Sequence, residues 1–186
     1  MSYTTVKAIY FGEKTESLIE LSNSYGSAPI IWEAMATKYL GITEAYSYPN
    51  KGWMQLDDEL WNLWKRTDIP IEHRLVFMLT FDRAYVKKEN FIRMALSIRK
   101  FLKDFPRKSH VDNEDGRQII RETAHHWDRI AKLLESNPDV PGIGLHCTSV
   151  SDDPFLGPWN EEKEDYDQPD WSQIYDVCEV IDGLNG

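Results

Sequence analysis

A chain of 186 residues with 41% hydrophobic and 12% aromatic content can bury a substantial core, which excludes a wholly disordered protein. Its net charge of −10 argues against a general nucleic-acid-binding or membrane-surface protein, since both need an excess of Lys and Arg. Two cysteines, Cys147 and Cys178, are too few for a secreted disulfide framework, and the first residues lack a basic segment followed by a long apolar one, so the expectation is a cytoplasmic protein.

The predicted elements begin with a β-hairpin. Residues 4–11 and 17–22 favour β structure with rough alternation, and the polar run from Gly12 to Glu16 joins them. Ser27 before Ala28-Pro29 reads as a capping residue with Pro in the first turn, and Gly41 as a stop, so a helix is predicted over 28–40. Its apolar stripe is Ile31, Met35 and Tyr39, widened by Trp32 and Ala36. A loop over 47–52 leads to 57–65, where Leu60, Trp61, Leu63 and Trp64 stand at helical spacing.

Pro70 opens the segment 71–85, whose continuous apolar middle, Leu75 to Leu79, predicts a buried helix. A further helix is predicted from Lys87 to Phe105 on the stripe Phe91, Ala95, Ile98, Leu102 and Phe105, with Arg93, Lys100 and Lys103 as a basic outer face and Pro106 as its end. After a polar linker, 108–116, the stripe Ile120, Ala124, Trp127, Ala131 and Leu134 predicts a helix over 117–135, closed by Ser136-Asn137-Pro138. Residues 142–151 read as a strand. Asp170-Trp171-Ser172-Gln173 has the form of a capping box, and Trp171, Ile174, Tyr175, Cys178 and Ile181 make the stripe of a final helix expected to dock.

The fold class expected is α+β, a mostly helical domain over 1–150 with an N-terminal hairpin, followed by an acidic arm over 151–186 that ends in the packed helix. Charge divides the same way. Residues 1–150 balance 20 basic against 20 acidic side chains, so the whole net charge falls in 151–186, where eleven acids face Lys163 alone. Residues 65–108 carry a local excess of seven positive charges, so the simplest expectation pairs the arm with that basic face, in the same subunit or in a dimer mate. A sharper one makes Glu161, Glu162, Glu164, Asp165 and Asp167, set among Trp159, Tyr166 and Trp171, a surface that mimics nucleic-acid phosphates in the groove of a basic partner protein. Direct nucleic-acid or membrane binding is not expected.

Candidate chemistry is sparse. His146-Cys147 offers a base and a thiol, but strand neighbours point to opposite faces, so the two cannot form a dyad on a strand. They are the candidates for a small hydrolase or transferase, the alternative to a binding protein. Glu122-Thr123-Ala124-His125 has a metal-type spacing without the second copy that a bundle site needs, and His125 and His126 diverge by about 100° around a helix. Gly142-Ile143-Gly144 has two glycines of a dinucleotide fingerprint, but Cys147 takes the third place, so it reads as a turn into a strand. Trp61 and Trp64 fit packing better than a stacking platform. No cofactor or metal is expected.

The stretches SNSYGSAPIIWEAMATKYLG, HCTSVSDDPFLGPWNEE and DWSQIYDV resemble small proteins carried by tailed bacteriophages and prophages of enteric bacteria. The resemblance implies no activity and no catalytic residues. It does imply an accessory protein that works by binding a host component.

Overall fold

The computed structural model describes residues 3–13, 15–23, 26–41, 57–105, 114–147 and 152–184. They form an α+β fold built on a five-stranded sheet of order β2-β1-β4-β3-β7. β1 (Tyr3–Ile9) and β2 (Glu16–Ser22) are the expected hairpin, and β4 (Gly142–His146) lies antiparallel on the other side of β1. β3 (Ala84–Lys87) is antiparallel to β4, while β7 (Tyr175–Asp176) runs parallel to β3 at the edge. The pairing of β1 with β2 slips between Val6 and Lys7, a bulge that skips Leu18.

Alternation along these strands creates two unlike faces. Val6, Ala8, Ala84, Val86, Ile143 and Leu145 belong to one large apolar core shared with the helices. α1 (Ala28–Leu40) contributes Ile31, Met35 and Ala36, as its stripe predicted, with Gly41 in the left-handed conformation at its end. Ser27 does precede the first turn, but its side chain makes no cap. Its hydroxyl instead meets Nδ1 of His126 at 3.3 Å, and its carbonyl accepts from Nε1 of Trp127 at 3.0 Å.

α2 (Asp57–Trp61) and a 3-10 turn (Leu63–Lys65) follow, with the Trp61 ring packed against Trp32, Phe77 and Phe81. α3 (Ile71–Leu79) is buried from His73 to Leu79 and is the central helix. The expected helix over 71–85 stops there, because the chain turns through Arg83 at φ 67° and enters β3. A 3-10 turn (Lys88–Asn90) then starts α4 (Phe91–Asp104), which buries Phe91, Ala95 and Ile98 as predicted, together with Met94 and Phe101. α5 (Glu114–Glu135) packs beside it through Trp127, Ala131 and Leu134, and Arg99 of α4 clasps Asp128 and Glu135. The loop 47–52, residues 106–113 with Pro106, the strand continuation 148–151, and the side chains of Ile120, Glu122 and Ala124 lie outside the described residues.

The opposite face of the sheet is covered by the acidic arm. Ile9 and Tyr85 meet Phe155, Ile174 and Trp171 in a second, smaller cluster. Phe155 lies directly over Gly144, where a Cβ would sit 2.5 Å from its Cζ. The two glycines of 142–144 thus lie within β4, and Gly144 makes room for a ring.

The end of the chain differs from the single helix expected after Asp170. That residue caps only a 3-10 turn (Trp171–Gln173), Ile174 is extended, and β7 intervenes. Asp176 then caps α6 (Val177–Gly183), its Oδ1 accepting from the amides of Cys178 and Glu179 at 2.7 and 3.0 Å. Val177, Cys178 and Ile181 are buried in the main core. No described helix is long and apolar enough to cross a membrane.

Candidate functional site

The arm contains an element that composition concealed. β5 (Trp159–Asn160) and β6 (Asp165–Tyr166) pair antiparallel, with Trp159 opposite Tyr166. Two further backbone bonds of 2.9 Å, Gly157 to Asp167 and Asp167 to Pro158, extend the ladder. Gly157 is required there, since a Cβ would sit 2.3 Å from the carbonyl oxygen of Gln168. The four-residue loop is held from within: Oδ1 of Asn160 accepts from the amides of Glu162 and Lys163, its Nδ2 donates to Asp167, and Lys163 pairs with Asp167 at 2.6 Å. Both bonds hold the Asp167 carboxyl below the usual carboxylate range, the Lys163 contact most.

This ordered hairpin carries two large aromatic side chains at the surface. Trp159 and Tyr166 are 54% and 48% exposed, and their rings meet edge to face with centroids 5.2 Å apart. Glu161, Glu162 and Glu164 project from the loop, and among the described residues no ion pair neutralises them.

Beside the hairpin lies a cleft of about 1050 Å³. Trp159 and Tyr166 form its aromatic wall, and Asp82, Asp152 and Asp170 supply carboxylates against the one guanidinium of Arg83. The left-handed backbone of Arg83 is uncommon for a residue with a side chain, a local cost of about 1 kcal/mol or more that clusters at binding sites. Arg83 is tied at the rim to Oε1 of Gln173 at 3.4 Å. A hydrogen bond from the Ser172 hydroxyl, with its amide second, holds the Asp170 carboxyl below its ordinary range. Burial foremost, then the charge of Asp82, raises the Tyr175 phenol to about 12.

Asp153 and His146 line the cleft with side chains 12% exposed, and Asp153 pairs with Lys7, which is 10% exposed and not part of the lining. Oδ1 of Asp153 also accepts from the amide of Phe155 at 3.0 Å, so the group that anchors the arm neutralises the lysine. His146 turns Nδ1 toward Asp153 at 3.9 Å, while its Nε2 is buried without a hydrogen-bond partner among the described residues.

The sequence candidates separate. His146 lies on the arm side, whereas Cys147 is buried in the helical core, where burial foremost, then the charge of Asp82, pushes its thiol far up. No hydrogen bond joins His146 to a hydroxyl or thiol among the described residues. His125 is exposed, and no three His, Cys, Asp or Glu side chains among the described residues converge as metal ligands. Trp171 is half-buried against Phe11 at 5.3 Å, an anchor of the arm more than a surface for a partner.

Among the described residues the basic segment meets the arm in two ion pairs, Lys87 with Glu179 and Arg93 with Asp182. Arg93 grips Asp182 of α6 through two bonds of 2.7 and 2.6 Å, Lys100 pairs with Asp104 of its own helix, and Lys103 is exposed. Asp82, Arg83, Asp152, Asp153 and Lys7 escaped sequence reading. Only Lys7 carried a signal, a charge at the inward position of Val6-Lys7-Ala8-Ile9. Compared with protein-family models, with curated proteins and with solved structures, the chain matches none.

Proposed function

We propose that the protein acts by binding, without catalysis, and that its partner is a basic protein segment received by the hairpin 159–166. One observation carries this reading. An internally braced hairpin holds an exposed Trp159–Tyr166 pair beneath Glu161, Glu162 and Glu164, which no described cation neutralises. Exposed carboxylates steer a cationic partner and set the salt dependence of association, while aromatic side chains supply area that can be desolvated. Spaced carboxylates of this kind also suit a protein groove that otherwise receives nucleic-acid phosphates. The resemblance to phage-borne proteins supports an accessory role on a host component.

Titration with a lysine-rich peptide, followed by tryptophan emission, tests the reading at low and high salt. Binding is expected at low salt, with affinity lowered about tenfold or more in the triple variant Glu161→Gln/Glu162→Gln/Glu164→Gln. No binding at low salt, or binding indifferent to the triple change, overturns it.

A further inference from the structure

Two pairs of exposed apolar side chains stand on opposite sides of the sheet. One is Trp159 and Tyr166 on the hairpin; the other is Ile92 and Leu96 on α4, 50% and 62% exposed, Leu96 being the most exposed large hydrophobic side chain among the described residues. Ile92, Leu96, Lys100 and Lys103 follow at steps of four, four and three, so they share one outward stripe of α4, apolar at its start and basic at its end. Lys100 is paired within its own helix, whereas Lys103 makes no ion pair among the described residues. The hairpin repeats this order with the opposite charge: an aromatic pair at its base, then Glu161, Glu162 and Glu164 at its tip. The spacings agree, since about 11 Å of helix separates the middle of the apolar pair from that of the lysines, and the tip stands up to about 10 Å beyond the aromatic pair.

A chain's own hairpin is kept from its own α4, because the arm lies over one face of the sheet and α4 belongs to the core beneath the other. We infer that, when no basic target is present, the hairpin 159–166 of one copy docks on α4 of a second copy, Trp159 and Tyr166 against Ile92 and Leu96, with the loop glutamates on Lys100 and Lys103. The inference rests on the binding role proposed above and gives the hairpin a partner of known sequence. Because the two surfaces face opposite ways, two chains joined by one contact keep one hairpin and one α4 unused. Association is therefore head to tail and grows with concentration instead of closing at two. An aromatic pair and a few charges cover much less than a standard interface, so the contact is weak, and a basic target competes with it for the hairpin.

Sedimentation velocity on the full chain tests this from about 10 µM to 1 mM at low salt, where an average mass rising above the monomer is expected. Ile92→Gln/Leu96→Gln alters only exposed positions, and Trp159→Ala/Tyr166→Ala removes the other half of the contact; each should weaken association about tenfold or more. Mixing the two variants separates docking from general stickiness. The helix variant keeps a sound hairpin and the hairpin variant a sound α4, so together they should form a one-to-one pair that grows no further. Circular dichroism identifies a variant that fails to fold, and Glu161→Gln/Glu162→Gln/Glu164→Gln, which leaves the bond of Asn160 to Asp167 in place, then replaces the aromatic variant. A lysine-rich peptide should return the wild-type protein to monomer. A wild type that stays monomeric, association undiminished in either variant, a mixture that does not pair, or an assembly that the peptide leaves intact overturns the docking. If the lysine-rich peptide still binds, the hairpin reading stands; no association and no peptide binding overturns both.

Discussion

The two faces of the central sheet are covered by different means. Beneath, α1, α3, α4, α5 and α6 close one apolar core in which Phe77, Phe91 and Trp127 are fully buried. Above, the arm is held by a handful of anchors: Phe155 over Gly144, Trp171 and Ile174 beside Tyr85, and Asp153 on Lys7. A thick apolar layer stabilises by area, whereas a thin cover depends on individual fits and on a buried charge pair that is costly to break. Such a cover can carry a polar cleft and an acidic hairpin, which an apolar layer could not.

The largest effect expected separates these layers. Phe77→Ala should cost about 3–5 kcal/mol of global stability in urea denaturation, as a cavity at the centre of the helical core. Phe155→Ala removes a ring of the same size, yet its exchange signature should be local, with faster amide exchange confined to residues 152–174 and β4. Equal loss of protection throughout the helices after Phe155→Ala would show that the two layers unfold as one unit.

A smaller effect sharpens the description of the cover. Gly144→Ala forces a methyl group into Phe155 and should cost about 1–3 kcal/mol. Phe155→Leu, which lacks the Cζ atom that collides, should recover part of that loss when combined with it. Strictly additive costs would mean that the ring and the glycine do not meet.

The smallest effect belongs to the helical side and depends on pH. His73 is buried in α3, with Nδ1 meeting the Tyr39 hydroxyl at 2.6 Å and Nε2 meeting Asp104 at 2.9 Å. Burial lowers its pKa more than the Asp104 hydrogen bond raises it, so the folded state takes up a proton less readily than the unfolded chain. Stability contributed by the neutral ring is therefore full above the ordinary histidine range and declines as pH falls toward the depressed value, by at most about 1.4 kcal/mol per pH unit. Urea midpoints between about pH 7 and 5 should show the decline, and His73→Gln should flatten it.

The helical layer was legible in the sequence because its stripes repeat at helical spacing, as in Ile31, Met35 and Phe91, Ala95, Ile98. β3 was not, since the apolar run ahead of it continues the pattern of α3 and nothing local announces the turn at Arg83. The hairpin 159–166 was hidden by its composition: acids and Pro read as an extended arm, and the side-chain bonds of Asn160 that fold it have no periodic signature. Trp159, Tyr166 and the glutamates stood out as residues, but the cleft did not. It is assembled from four separated stretches, around Asp82, His146, Asp152 and Asp170, and only the sheet order brings them together.

That sheet order also governs how the chain reaches its native state. β1 closes on β2 through a short turn, an event on the order of microseconds, but its other neighbour, β4, lies more than a hundred residues further along, and pairings of such separation form on the order of milliseconds to seconds. While β4 is unpaired, one edge of β1 offers free amides and carbonyls to other chains. Refolding at high concentration should consequently lose yield to intermolecular strand pairing at this edge, and dilution should restore it.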